Sequence, residues 1–152
     1  MPFDPQAPTE EERSYAYTLL WFGLAAAIIL AIGNVTDLFG VVSGAAAAFV
    51  GAQICIFVLS NRWDDYFRAV LNRGAQVAVI IPALWIGAQG FAFILGGAYR
   101  VGFALGSAGG SASDRRFVLP DWTNDAYLLA SLAVLAFYVA SLWHHYRGGS
   151  DA

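Results

Sequence analysis

Residues 40–59 read GVVSGAAAAFVGAQICIFVL, twenty residues without one charge. A hydrocarbon core about 30 Å thick is crossed by about 20 helical residues, so this stretch predicts a membrane-spanning helix. Outward from it lie three runs of the same character: Tyr17–Asn34, Gln76–Gly97 and Ala126–Trp143. The first and fourth are slightly short for a full crossing. The 152 residues are 59% hydrophobic and only 12% charged, with a mean hydropathy of +0.58, which is membrane composition rather than that of a soluble domain. Lipid offers the backbone no hydrogen-bond partners, so helices are the form such runs take. The predicted fold is an all-α integral membrane protein with four transmembrane helices in one domain over residues 9–147. Residues 1–8 and 148–152 read as flexible ends.

The segments between the runs carry most of the charge. Thr9-Glu10-Glu11-Glu12 is a capping box, Thr9 as N-cap and Glu12 reaching back. Three acids in a first turn also suit the positive end of the helix dipole. This acidic start, with no basic n-region and no small-residue cleavage site, is unlike a secretory signal, so the first run is expected to stay as a helix. Across Asn61–Arg73, the residues Trp63, Tyr66, Phe67, Val70 and Leu71 recur at helical spacing between charged positions. With Asn61 as cap and Gly74 as stop, this stretch is too short to span. It predicts an interfacial amphipathic helix between the second and third transmembrane helices, with Trp63, Tyr66 and Phe67 in the headgroup layer.

The third run is too long. From Gln76 to Leu105 a helix extends about 45 Å, so it must break near Gly96-Gly97, protrude or fold back. Pro82 lies near its start. Residues 106–123 form a long outer loop that opens on the glycine- and serine-rich Gly106–Ser113. Thr123 or Asn124 is placed to cap the fourth helix. Four spans put the N-terminus, residues 61–73 and the C-terminus on one side with Arg13, Arg62, Arg68, Arg73 and Arg147, against Arg100, Arg115 and Arg116 on the other. The positive-inside rule then places both termini in the cytoplasm. Trp21, Trp63, Trp122 and Trp143 fall near the expected interfaces, whereas Trp85 falls near mid-depth between helices. Arginine without lysine is taken as the mark of a GC-rich bacterial genome, hence a bacterial inner membrane.

Small residues at close helical spacing, Gly40, Ser43, Gly44, Ala47 and Gly51, are the expected helix-packing positions, because small side chains let helices approach closely in lipid. The cores of all four runs hold no ionisable residue, although such residues are the usual marks of ion paths and intramembrane catalysis. This argues against a proton-coupled transporter, a pump or an intramembrane hydrolase. Gln53 and Gln89 are polar residues inside the runs, suited to interhelical hydrogen bonds or, as weak candidates, to a quinone or pigment. His144 and His145, the only histidines, are the other weak cofactor candidates, either alone as an axial ligand to a haem or chlorophyll-type macrocycle. Neighbouring positions point about 100° apart, and no histidine on another helix completes a bis-histidine haem site. Arg100 emerges at the outer interface, where lipid phosphate or Asp37, Asp121 or Asp125 can pair with it. Cys55, the lone cysteine, reads as a small buried hydrophobe. No nucleotide-binding glycine pattern, nucleophile elbow, HExxH or Cys-x-x-Cys is present, and the net charge of −3 gives nucleic acid no basic face.

No enzyme is expected, no catalytic or metal residues, and no cofactor beyond bound lipid. The reading is a non-catalytic subunit of a larger respiratory, photosynthetic or transport assembly, with other membrane subunits and lipid as partners. The alternative is a small homo-oligomeric channel or transporter for a small neutral or anionic solute, lined by Gly, Ser and Gln.

Overall fold

The computed structural model describes residues 9–36, 40–60, 63–106 and 120–148. Four helices carry the chain: α1 (Glu10–Thr36), α2 (Gly40–Leu59), α3 (Asp65–Gly106) and α4 (Ala126–Gly148). A 3-10 turn at Asp121–Asn124 leads into α4. No strand occurs among the described residues. All four helices are long and apolar enough to cross a membrane. The expected capping box opens α1: Thr9 N donates to Glu12 Oε2 at 3.0 Å, and Glu12 N donates to Thr9 Oγ1 at 3.3 Å.

Extensive contacts join α1 to α2, α1 to α4, and α3 to α4. Tyr17 near the start of α1 stacks on His145 near the end of α4, and Asn34 Nδ2 near the end of α1 donates to the carbonyl of Tyr127 near the start of α4. These helices therefore run antiparallel, with about 26 Å between the two marks. The starts of α1 and α3 and the ends of α2 and α4 meet at one end, where Phe67 packs edge-on against Tyr17 and Phe57.

The packed face of α1 is a narrow stripe of Ala16, Leu20, Gly23, Ala27 and Leu30, all buried. Its small residues bring the backbones close, as lipid-phase packing requires. A methyl group at Gly23 would overlap the Tyr138 ring and Gln53 Oε1. On α2 the buried face is Ala46, Val50, Gln53 and Phe57. Of the expected packing set, Ala47 packs against the core and Ser43 is half-buried, whereas Gly40, Gly44 and Gly51 are exposed with open space beside each. Both faces of α2 have the right spacing, and the face holding Gln53 and Phe57 wins by making a hydrogen bond and aromatic contacts. Cys55, expected to be buried, is exposed on α2.

The separate interfacial helix is also corrected. Residues from Asp65 onward are the first turns of α3, which runs 42 residues without interruption through Gly74, Pro82 and Gly96-Gly97 to Gly106. Asn61 lies outside the described residues. The cap is Asp64, whose Oδ1 accepts from Phe67 N at 2.8 Å. Phe67 and Val70 are fully in the core and Trp63 and Leu71 pack against it, so this face meets the chain's own helices rather than headgroups. Gly74 is not a stop but a point of closest approach, where a side chain would strike Ser141 Oγ and the Phe137 carbonyl. Likewise, the cap of α4 is Asp125, whose Oδ1 accepts from Tyr127 N and Leu128 N, in place of Thr123 or Asn124. Of the expected flexible ends, Gly148 closes α4, and residues 1–8 and 149–152, with Asp37 and loop residues 107–119, lie outside the described residues.

Candidate functional site

Polar side chains in apolar helices mark where a site could be, and three such places occur. The first is a junction of α1, α2 and α4. Gln53 Nε2 donates to the Leu19 carbonyl, and Tyr138 Oη donates to Gln53 Oε1 at 3.1 Å. Gln53 is 3% exposed and Tyr138 is fully buried, so one amide ties three helices through both of its ends. Its nitrogen and its oxygen each make a bond within the chain, which suits interhelical glue.

The second place is the outer start of α4. Gln89 Nε2 donates to the Thr123 carbonyl at 2.6 Å, and Trp85 Nε1 donates to the same oxygen at 2.8 Å. Thr123 Oγ1 in turn donates to the Pro120 carbonyl at 2.7 Å. Half-buried Trp85 thus stands level with the beginning of α4, held there by the 3-10 turn.

The third is the aromatic end. His145 stacks on Tyr17 with ring centroids 3.9 Å apart, and Tyr66 Oη donates to the His145 carbonyl at 3.4 Å. His145 Nδ1 is buried without a hydrogen-bond partner among the described residues. His144 is half-buried on the neighbouring face. Among the described residues no three His, Cys, Asp or Glu side chains converge as metal ligands. Trp63 and Phe67 are inside this cluster, while Tyr66 remains exposed at its rim. Arg147 lies over the Trp143 ring at 4.9 Å.

The largest feature is none of these. Gly74 of α3 faces Phe137 and Ser141 of α4, and Trp85 and Gln89 face the turn before α4. That registry places the middle of the α4 apolar run near residue 78 of α3. The middle of the α3 apolar run lies about eight residues further on, an offset of roughly 12 Å. On one side of the offset, Asn72, Arg73 and Gln76 are exposed at the depth of the apolar body of α4; Arg73 Nη1 donates to Gln76 Oε1 at 3.2 Å. On the other side, α3 continues past the bundle. From Phe93 to Gly106 every residue with a described side chain is exposed except half-buried Gly96, over about 21 Å of helix. Phe93 and Leu105 are 84% and 85% exposed. Arg100 projects from this extension, exposed and without a partner among the described residues. Of its expected partners, Asp125 caps α4, and Asp37 and the Asp121 side chain lie outside the described set.

Sequence reasoning missed this offset. The signal was present in the excess length of the third run, and only the contacts of Gly74, Trp85 and Gln89 reveal which end overhangs. In comparisons with known proteins, no family model matches the chain, and no curated protein and no solved structure matches it either.

Proposed function

We propose that this chain is an integral membrane subunit without catalytic chemistry of its own, whose overhanging α3 docks into a larger membrane assembly. The observation that carries the reading is the offset of α3 against α1 and α4. A bilayer fitted to α1 and α4 leaves an apolar helix standing clear of the lipid and sets Arg73 within it. The run Gln76–Gly97 is itself about 33 Å long and fits a core of about 30 Å, so the conflict lies not in its length but in its displacement along α1 and α4. A neighbouring protein removes both faults by covering the apolar extension and giving Asn72, Arg73 and Gln76 polar partners. The exposed small-residue face of α2, with Gly40, Gly44 and Gly51, offers such a neighbour a second close-approach surface.

In this reading the chain sits in a bacterial inner membrane with both termini in the cytoplasm, as the arginine distribution favours. Lipid contacts the remaining apolar surface. The homo-oligomeric channel loses its motivation, since Gln53 and Gln89, the polar groups to line it, are held by Leu19, Tyr138 and Thr123. Mild detergent purification of the tagged protein from its native membranes, with mass spectrometry of what is retained, tests the proposal. Other membrane proteins in fixed ratio are expected. Recovery of the chain alone, as monomer or homo-oligomer, would refute it.

A further inference from the structure

The side of α3 turned away from α4 carries a polar patch that the bundle does not use. Gly74 faces α4 at the closest approach of the two helices. Asn72 and Gln76, each two residues from Gly74, lie about 160° around the helix from it, and Arg73 lies about 100° away. All three are exposed.

Their depth follows from the aromatic end. Phe67 is level with Tyr17 of α1, which stacks on His145 of α4. At the helical rise, Arg73 stands about 9 Å and Gln76 about 13 Å beyond that level, alongside the apolar runs of α1 and α4. The contact of Gly74 with Phe137 and Ser141, one to two turns before His145, gives the same depth. A membrane-edge arginine ordinarily snorkels back toward water. Here Arg73 Nη1 donates to Gln76 Oε1 at 3.2 Å, which holds the guanidinium toward the middle of the bundle. That partner is neutral, so it leaves the charge unbalanced.

A guanidinium stays charged, and charges at membrane depth are paired. The runs Tyr17–Asn34, Gly40–Leu59, Gln76–Gly97 and Ala126–Trp143 contain no acid. Neither this chain nor a second copy in the same orientation therefore brings a carboxylate to that depth. A carboxylate is the group that fits, since it accepts two parallel N–H bonds from one guanidinium, and the Asn72 and Gln76 amides add donors for its other lone pairs.

We infer that the partner helix seated on this side of α3 carries an ionised Asp or Glu level with Arg73. The inference rests on the docking reading above and names the group that the docked protein must supply. The chain has no lysine, so Arg73→Lys introduces its one side-chain amine. Native membranes holding this tagged variant in place of the wild type are treated with dicyclohexylcarbodiimide, which joins an amine and a carboxylate in contact as an amide and takes up the water as a urea. Mass spectrometry of the product should find an amide to Asp or Glu within an apolar segment of another membrane protein. Arg73→Gln, at an exposed position outside the core, should retain that protein about tenfold less or worse, with the unfolding temperature of the isolated chain unchanged. Full retention by Arg73→Gln, no amide at position 73, or coupling to a lipid headgroup overturns the inference, while partners held by the wild-type chain would still uphold docking. Recovery of the wild-type chain alone refutes docking itself and the inference with it.

Discussion

The most apolar windows of α1 and α3 have nearly the same hydropathy, 2.1 and 2.0, yet 33% of the first is buried inside the chain and only 6% of the second. Hydropathy marks both as fit for lipid and says nothing about which one packs. The difference lies in where the small and polar residues fall. On α1, Ala16, Gly23 and Ala27 share one stripe with Leu20 and Leu30, and the Leu19 carbonyl beside that stripe accepts from Gln53. On α3 the close-approach glycine is Gly74, near its start, whereas Gly87, Gly90 and Gly97 meet nothing of this chain. A helix can thus be held from its start as far as Trp85, Gln89 and Ala92 and leave only its last turns, from Phe93 on, for something else.

The comparison can be broken most sharply in the anchored region. Phe67→Ala removes a ring in contact with Tyr17, Phe57 and Trp63. It should cost about 3–5 kcal/mol, read as a large drop in the thermal unfolding temperature of the detergent-solubilised protein. Next come paired glycine variants. Gly74→Leu forces a side chain into Ser141 and Phe137 and should destabilise by about 1–3 kcal/mol. Gly97→Leu enters open space and should be neutral, or stabilise by up to about 1 kcal/mol through helix propensity. Equal effects of the two would erase the distinction between the halves of α3.

A smaller change is expected at the three-helix junction. Tyr138→Phe deletes the donor to Gln53 and should cost about 1 kcal/mol. Gln53→Leu should cost somewhat more, because it strands the buried Tyr138 hydroxyl. Chemical denaturation of the two single variants and the double variant gives the coupling; additivity would mean the hydrogen bond contributes nothing. The smallest effect belongs to the extension. Replacing Phe93, Leu95 and Val101 together by Ser should leave the unfolding temperature of the isolated chain within a degree or two, since none of the three is buried. The same variant should lose its partners on purification from native membranes.

Much of this was legible in advance, and what was not has physical reasons. The four helices, their alternating direction and the Thr9–Glu12 box follow from run length and cap chemistry. Continuity through Gly74 and Gly96-Gly97 does not, because glycine serves equally as a helix stop and as a close-approach residue. An interior glycine costs only about 1 kcal/mol in a helix, less than leaving backbone groups unsatisfied in lipid. The α4 cap was ambiguous because Thr123, Asn124 and Asp125 are three competent caps in a row. The choice between the two faces of α2 was open because Gly40, Gly44 and Gly51 recur at helical spacing just as Ala46, Val50, Gln53 and Phe57 do. Only the partner across the interface decides, and for Gln53 that partner is a carbonyl, which no side-chain pattern announces.

The central claim is that the distal half of α3 is covered by other protein rather than by lipid. Single cysteines at Leu84, Phe93, Val101 and Leu105, introduced after Cys55→Ala, test it when probed by a membrane-impermeant maleimide and by a lipid-phase quencher of an attached fluorophore. Positions 93, 101 and 105 should be shielded from both probes in native membranes, and become open to the maleimide when the purified chain alone is reconstituted in liposomes. Quenching by lipid at all four positions, in native membranes and liposomes alike, would show an ordinary lipid-facing helix and contradict the account.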